Sequence, residues 1–293
     1  MVDTVIGTDD AERAELPEVE RVLLAVRGSF AGVAAARWLI ARASNRPLAV
    51  QVSVAPDAAP DAVAGLLDLP DPADAGTRVQ EYLTLVDPGI ATTVVRLSED
   101  READVLDAAL DADLLVLATT GNDRGAGPGS FATLLAAQAV CATVVVPRAW
   151  APTAGPVVVG VGNGIGEYAA LDRAALEAEL QQRELVLLRA SQLPRSVVDD
   201  IDVEFSATVD RQSLDDAVVY VRERHPALPV RPVLTSQAPA DALRELGRDA
   251  ALIVVGSRPG GGVVDGIDAA VRSVLEEPQC PVMVVPPAPA GAA

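Results

Sequence analysis

The chain has 293 residues, half of them hydrophobic and only 3% aromatic, with 42 acidic residues against 23 basic ones and a net charge of −19. This length suits one large or two ordinary domains, and the cores must be built from Val, Leu, Ile and Ala. The negative field works against nucleic acid and membrane surfaces as partners, and the absence of any Lys removes P-loop, Schiff-base and lysine general-base chemistry.

Five aliphatic runs bounded by turn residues follow one another in the first half: 22–26, 48–54, 92–97, 114–119 and 142–147. Segments with helical spacing lie between most of them, at 31–43, 78–86 and 102–112. Strand and helix in repeated alternation predict a parallel α/β sheet joined by right-handed crossovers. The stretch TTGNDRGAGPGS, from Thr119 to Ser130, then runs into a helical apolar segment. It is read either as a phosphate cradle, glycines letting backbone amides approach an anion at a helix start, or as a generous turn.

The second half repeats the order, with strands at 157–162, 185–190, 228–234, 251–256 and 281–286 and helices at 167–182, 213–225, 239–248 and 267–276. Val22 and Val157 open the first strand of each half, and Cys141 and Cys280 each stand just before the last. Paired cysteines at matching places point to duplication and to small buried hydrophobes rather than redox chemistry. Between the halves, PRAWAPTAGP (147–156) has the composition of a short linker, which sets the expected domains at 1–150 and 151–293. The C-terminal PPAPAGAA is expected to be a disordered tail.

The strand VLLAV followed by Arg27-Gly28-Ser29, and a closing pattern of Gly-Ser, helix, Cys and strand, together resemble the universal stress protein family in two tandem copies. The most specific pieces are VVGSR (254–258) and CPVMVV (280–285). The resemblance implies an α/β fold of two tandem five-stranded parallel-sheet domains, Rossmann-like, in the order 3-2-1-4-5 with helices on both faces. It also implies that the last strands of the two copies pair edge to edge, so that one chain is an intramolecular pseudo-dimer.

Nucleotide-binding members of the family carry Gly-x2-Gly-x9-Gly-Ser/Thr for the phosphates of ATP and an Asp after the first strand near the adenosine. In the first copy Ala118, Gly121, Gly129 and Ser130 stand at the motif positions, with seven intervening residues instead of nine, and Arg27 replaces the Asp. Arg27 either supplies a cation to a phosphate or fills the adenosine pocket. The second copy keeps Gly256, but has Pro259 at the second glycine, Asp268-Ala269 in place of Gly-Ser, and Gly162 where the Asp belongs. By the resemblance, the residues to hold a nucleotide are Arg27, Gly28, Ser29, Thr119, Gly121, Gly129, Ser130, Phe131, Gly256 and Ser257.

Other chemistries are weaker readings. His225, in VRERHPAL at the end of a charged helix, is expected to be a solvated terminus residue, and it leaves Ser-His-Asp catalysis no second histidine. GNGIG (162–166) has the spacing Gly-x-Gly-x-Gly rather than that of a dinucleotide fingerprint. The acidic clusters 68–74 and 98–104 read as solubility and capping groups, and no metal is expected. The first twenty residues are acidic without an apolar core and no apolar run reaches the ~18 residues of a membrane span, so a cytoplasmic protein is expected.

The functional expectation is a non-enzymatic universal stress protein in a stress-response or regulatory role, with degraded nucleotide motifs and acting through protein partners or self-association. The alternative is an adenine-nucleotide-binding module in which the first copy's Gly-Ser loop holds ATP.

Overall fold

The computed structural model describes residues 18–26, 31–55, 75–98, 101–118, 131–162, 167–190, 200–257 and 267–287. In chain order the first half gives β1 (Glu20–Val26), α1 (Ala31–Ala43), β2 (Leu48–Val54), α2 (Ala75–Val86), β3 (Ala91–Arg96), α3 (Arg101–Ala108), β4 (Leu114–Ala118), α4 (Phe131–Gln138) and β5 (Ala142–Val146). The second gives β6 (Val157–Gly160), α5 (Glu167–Leu180), β7 (Leu185–Ala190), α6 (Asp200–Arg224), β8 (Val230–Thr235), α7 (Pro239–Gly247), β9 (Leu252–Gly256), α8 (Ala269–Glu276) and β10 (Val282–Val285). The expected helix at 213–225 is thus the C-terminal half of a much longer one, because the mixed sequence of its first turns hides its periodicity.

All ten strands form one sheet in the order β3-β2-β1-β4-β5-β10-β9-β6-β7-β8. Each half therefore reads 3-2-1-4-5. Within a half every pairing is parallel, while β5 and β10 pair antiparallel with Val144 opposite Met283. Period-two alternation divides each strand between two cores: Val22, Leu24 and Val26 face one layer, Leu23 and Ala25 the other. The first layer is covered by α1, α2, α5 and α6, and the opposite one by α3, α4, α7 and α8. Burial on both faces explains why the strand sequences are continuous aliphatic runs.

The outermost strands are the most exposed. β8 contains Pro232, which pairs with Leu187 on its one partnered side; a proline lacks the N–H that a further strand would need, so it suits an edge.

A second contact ties the halves together under α1 and α5. The Arg42 guanidinium donates to Glu20 (Nε to Oε2, 2.5 Å; Nη2 to Oε1, 2.9 Å) and to Glu177 (Nη1 to Oε2, 2.7 Å; Nη2 to Oε1, 2.8 Å). Arg173 Nη2 lies 3.0 Å from each of the same two carboxylates. Glu20 and Glu177 are fully buried, so both acids depend on these arginines. Arg42 and Glu177 are separated by 135 residues, the spacing that relates Val22 to Val157, so equivalent positions of the two copies meet here with opposite charge.

Candidate functional site

In a sheet of this order ligands sit beyond the carboxyl ends of the strands, where the chain direction of the connections reverses. The switch points lie between β1 and β4 and between β6 and β9. In the first half, β4 ends at Ala118 and α4 opens at Phe131, whose partly exposed ring packs against the second core. Arg27, Gly28, Ser29, Thr119, Gly121, Gly129 and Ser130 lie outside the described residues, as do Pro259 and most of GNGIG.

The second half is described at the places that matter for an anion. Gly256 is the last residue of β9 and pairs with Val285. Ser257 is buried, and its N–H donates to the Val285 carbonyl at 2.8 Å, so that amide is already used. At the start of α8, Asp268 has extended backbone (φ −73°, ψ 166°) and its Oδ1 accepts from the Val271 N–H at 2.8 Å. This is an N-cap: a carboxylate holds the third amide of the helix, at the end where the helix dipole would otherwise draw a phosphate.

A residue not singled out from sequence carries a buried charge near the strand ends of the second half. Arg189, near the end of β7, donates from Nε and Nη2 to Asp210 Oδ1 of α6 at 2.9 and 2.7 Å, and from Nη1 to the Val161 carbonyl at 3.0 Å. Both charged partners are buried. The equivalent place in the first half, 135 residues earlier, is Val54, and there the Val26 carbonyl accepts from the Ala55 amide instead. Removing one partner of such a buried ion pair costs several kcal/mol. The signal was a lone arginine inside LVLLRA, since a charge in a buried strand requires a partner.

In the second half, then, the described start of α8 carries an acid, the Ser257 amide is bonded to β10, and Arg189 holds the Val161 carbonyl just beyond β6.

His225 corrects the sequence expectation. It is buried rather than solvated, and its Nδ1 lies 2.9 Å from Glu179 Oε1 on α5. The reason is packing: Val221 and Leu228 on either side are core residues, so the end of α6 turns inward. Glu179 stands near the end of α5, which has run back toward the strand starts, so this pair sits away from the ligand crevice. Among the described residues no three His, Cys, Asp or Glu side chains gather as a metal set. Burial pushes the thiols of Cys141 and Cys280 up to about 11 and about 12, which makes both poor nucleophiles near neutral pH.

One ten-stranded sheet made of two halves of order 3-2-1-4-5, joined through their last strands, defines a doubly wound α/β protein of repeated architecture. No protein-family model matches the chain. A universal stress protein of Mycobacterium tuberculosis is 29% identical over 191 residues, covering 61% of this chain and 63% of that protein. A second one from the same organism is 25% identical over 280 residues, covering 92% of this chain and 97% of its relative. The chain thus matches a little under two thirds of the length of the first relative and nearly all of the second. Among solved structures, a functionally unknown protein of Pseudomonas aeruginosa superposes with a TM-score of 0.63 at 14% identity, covering 92% of each chain. A universal stress protein of Archaeoglobus fulgidus gives 0.56 at 14% identity, covering 92% of this chain and 96% of the other. The chain is thus similar to universal stress proteins over nearly its whole length, and it shares its fold with solved tandem structures.

Proposed function

We propose that this is a non-enzymatic universal stress protein of the cytoplasm, with a regulatory role exerted through protein contacts, and that its second copy, residues 151–293, has given up nucleotide binding. The observation that carries the reading is the Asp268 carboxylate on the Val271 amide, which puts a negative group where the family's motif needs an anion site. The buried Arg189–Asp210 pair supports it from the strand side. The burial of His225 away from the crevice and the high-pKa thiols leave the described residues without a nucleophile and base in one place.

A second reading keeps ATP in the first copy. It is favoured by the start of α4 at Phe131 directly after Gly129-Ser130, a helix opening whose sequence places no acid at the cap. Photo-crosslinking with an azido-ATP and peptide mapping tests both. The proposal expects no labelled peptide from residues 157–287, and competable labelling there contradicts it. Competable labelling confined to the peptide spanning Gly129 and Ser130 would establish the second reading instead.

A further inference from the structure

The sheet ends on two strands that are guarded differently. Among the described residues no strand pairs with the outer side of β3 or of β8. The registers Val22↔Val50 and Val52↔Val94 in the first half match Val157↔Leu185 and Leu187↔Pro232 in the second, so Val94 is the counterpart of Pro232 and Thr93 that of Arg231. The Leu97 N–H donates to the Val54 carbonyl at 3.0 Å, so the backbone groups of residues 91, 93 and 95 bond β2, and those of Thr92 and Val94 point outward. The Gln80 side-chain amide of α2 confirms the direction, reaching the Thr92 carbonyl at 3.0 Å from outside the ladder.

On β8 the outward position holds a proline, which has no N–H to offer, and its neighbour Arg231 is exposed. Both are devices that keep an edge from pairing. The matching stretch of β3, ATTVV (91–95), carries no charge and no proline, in a chain of net charge −19, and its Thr93 and Val95 side chains are exposed. One edge of the sheet is blocked and the other is left able to pair.

We propose that β3 is a self-association edge, through which two copies of this chain pair antiparallel about a two-fold axis at Thr93. The axis sets Thr92 opposite Val94 of the second copy, and the reverse, as two hydrogen-bonded pairs, giving four N–H···O=C bonds between the copies. The Thr92 carbonyl has two lone pairs and accepts from both Gln80 and the incoming Val94 N–H. The strand is its own complement: Thr93 meets Thr93, Ala91 meets Val95, and Arg96 falls opposite Ile90, so no like charges face each other. The chain already makes an antiparallel joint of this kind between β5 and β10. With β8 blocked, each copy has one edge to offer, so the assembly closes at two and does not run on as a filament. An interface of one short strand is of the small, transient class, so the dimer is reversible. The surface is separate from the crevices beyond β4 and β9 and does not depend on the nucleotide question.

Sedimentation velocity of the full chain from about 1 to about 500 µM, in about 0.3 M salt to screen repulsion between the copies, tests the pairing. It predicts a reversible monomer–dimer equilibrium that stops at two copies. Val94→Pro gives β3 the residue that β8 carries, removes no bond to β2, and should weaken the dimer at least about tenfold. Cysteines at 93 would stand opposite each other across the axis at the roughly 4.5 Å Cα separation of a non-hydrogen-bonded pair, within the span of a disulfide. Mild oxidation should therefore link Thr93→Cys into covalent dimers, while Arg231→Cys stays monomeric; Cys141 and Cys280 are buried and add little background. Thermal unfolding shows whether Val94→Pro folds; if it does not, the two cysteine variants decide. A monomer across the whole range, species larger than a dimer, undiminished association in folded Val94→Pro, or equal cross-linking at 93 and 231 would overturn the proposal.

Discussion

Three buried charges set the chemistry at the seam: Arg42 between Glu20 and Glu177. Burial by itself raises the Glu177 carboxyl, but the attraction of Arg42 and Arg173 and the bonds from Arg42 and Gln181 outweigh it and hold the group at about 2. Burial likewise opposes ionisation of Glu20, and Arg42 again wins and lowers it. A carboxyl lowered in the folded state stabilises the protein at pH above its unfolded value, and that contribution is lost as pH falls through the folded value. Chemical unfolding followed against pH should therefore lose stability between about pH 4.5 and pH 2, and Glu177→Gln should flatten that slope while lowering stability at pH 7. Arg42→Met leaves two acids buried without their main partner and should cost about 3–5 kcal/mol at neutral pH. The two thiols provide a separate check. With Cys141 and Cys280 buried and their acidity suppressed, alkylation of the native chain at pH 8 should be far slower than that of the unfolded chain. Rapid native labelling would show that the last strands open readily. The pairings of Arg42 with Glu20 and Glu177 were not visible in the sequence, because they join residues 22 and 135 positions apart. His225 was misread for the same reason: VRERHPAL looks like a solvated helix end until α5 is packed against it.

Helix ends carry the next level of specification. α5 closes with Gln182 in the left-handed region at φ 52°, the Arg183 N–H reaching the Ala178 carbonyl and the Gln182 N–H reaching Glu179. That pair of bonds is a Schellman closure, whose left-handed position glycine fills with least strain. Gln182→Gly should accordingly raise stability by about 1 kcal/mol, read as a shift of the denaturant midpoint at unchanged slope. Loss of stability would mean that the Gln182 side chain contributes more than its backbone strain costs. At this scale the sequence was informative. The strands were legible to within one or two residues because aliphatic runs buried on both faces leave few alternatives, as LAVQVSV and LVLLRA illustrate. The Asp268 cap was legible too, since an acid before an apolar helix has a local role. The first turns of α6 were not, because DIDVEFSATVDRQ mixes polar and apolar residues without a clear stripe.

At the level of the whole molecule, duplication explains both what is shared and what has diverged. The two copies keep the same strand order and join into one sheet through β5 and β10, which leaves β3 and β8 as its outer edges. Fusion places the two copies in fixed roles, so equivalent positions are free to differ: Arg42 meets Glu177, and Val54 in one copy corresponds to Arg189 in the other. In the second copy Asp268 caps α8 and Arg189 holds the Val161 carbonyl, while the first copy has Gly129-Ser130 in sequence ahead of α4. Calorimetric titration of the full chain with ATP and magnesium, repeated on a Gly129→Asp/Ser130→Ala variant, tests the reading of a non-enzymatic protein with degraded nucleotide sites most directly. The account predicts no saturable heat up to millimolar ATP for either protein. Saturable binding near one site per chain that the double variant abolishes would contradict it and make the first copy a working nucleotide sensor.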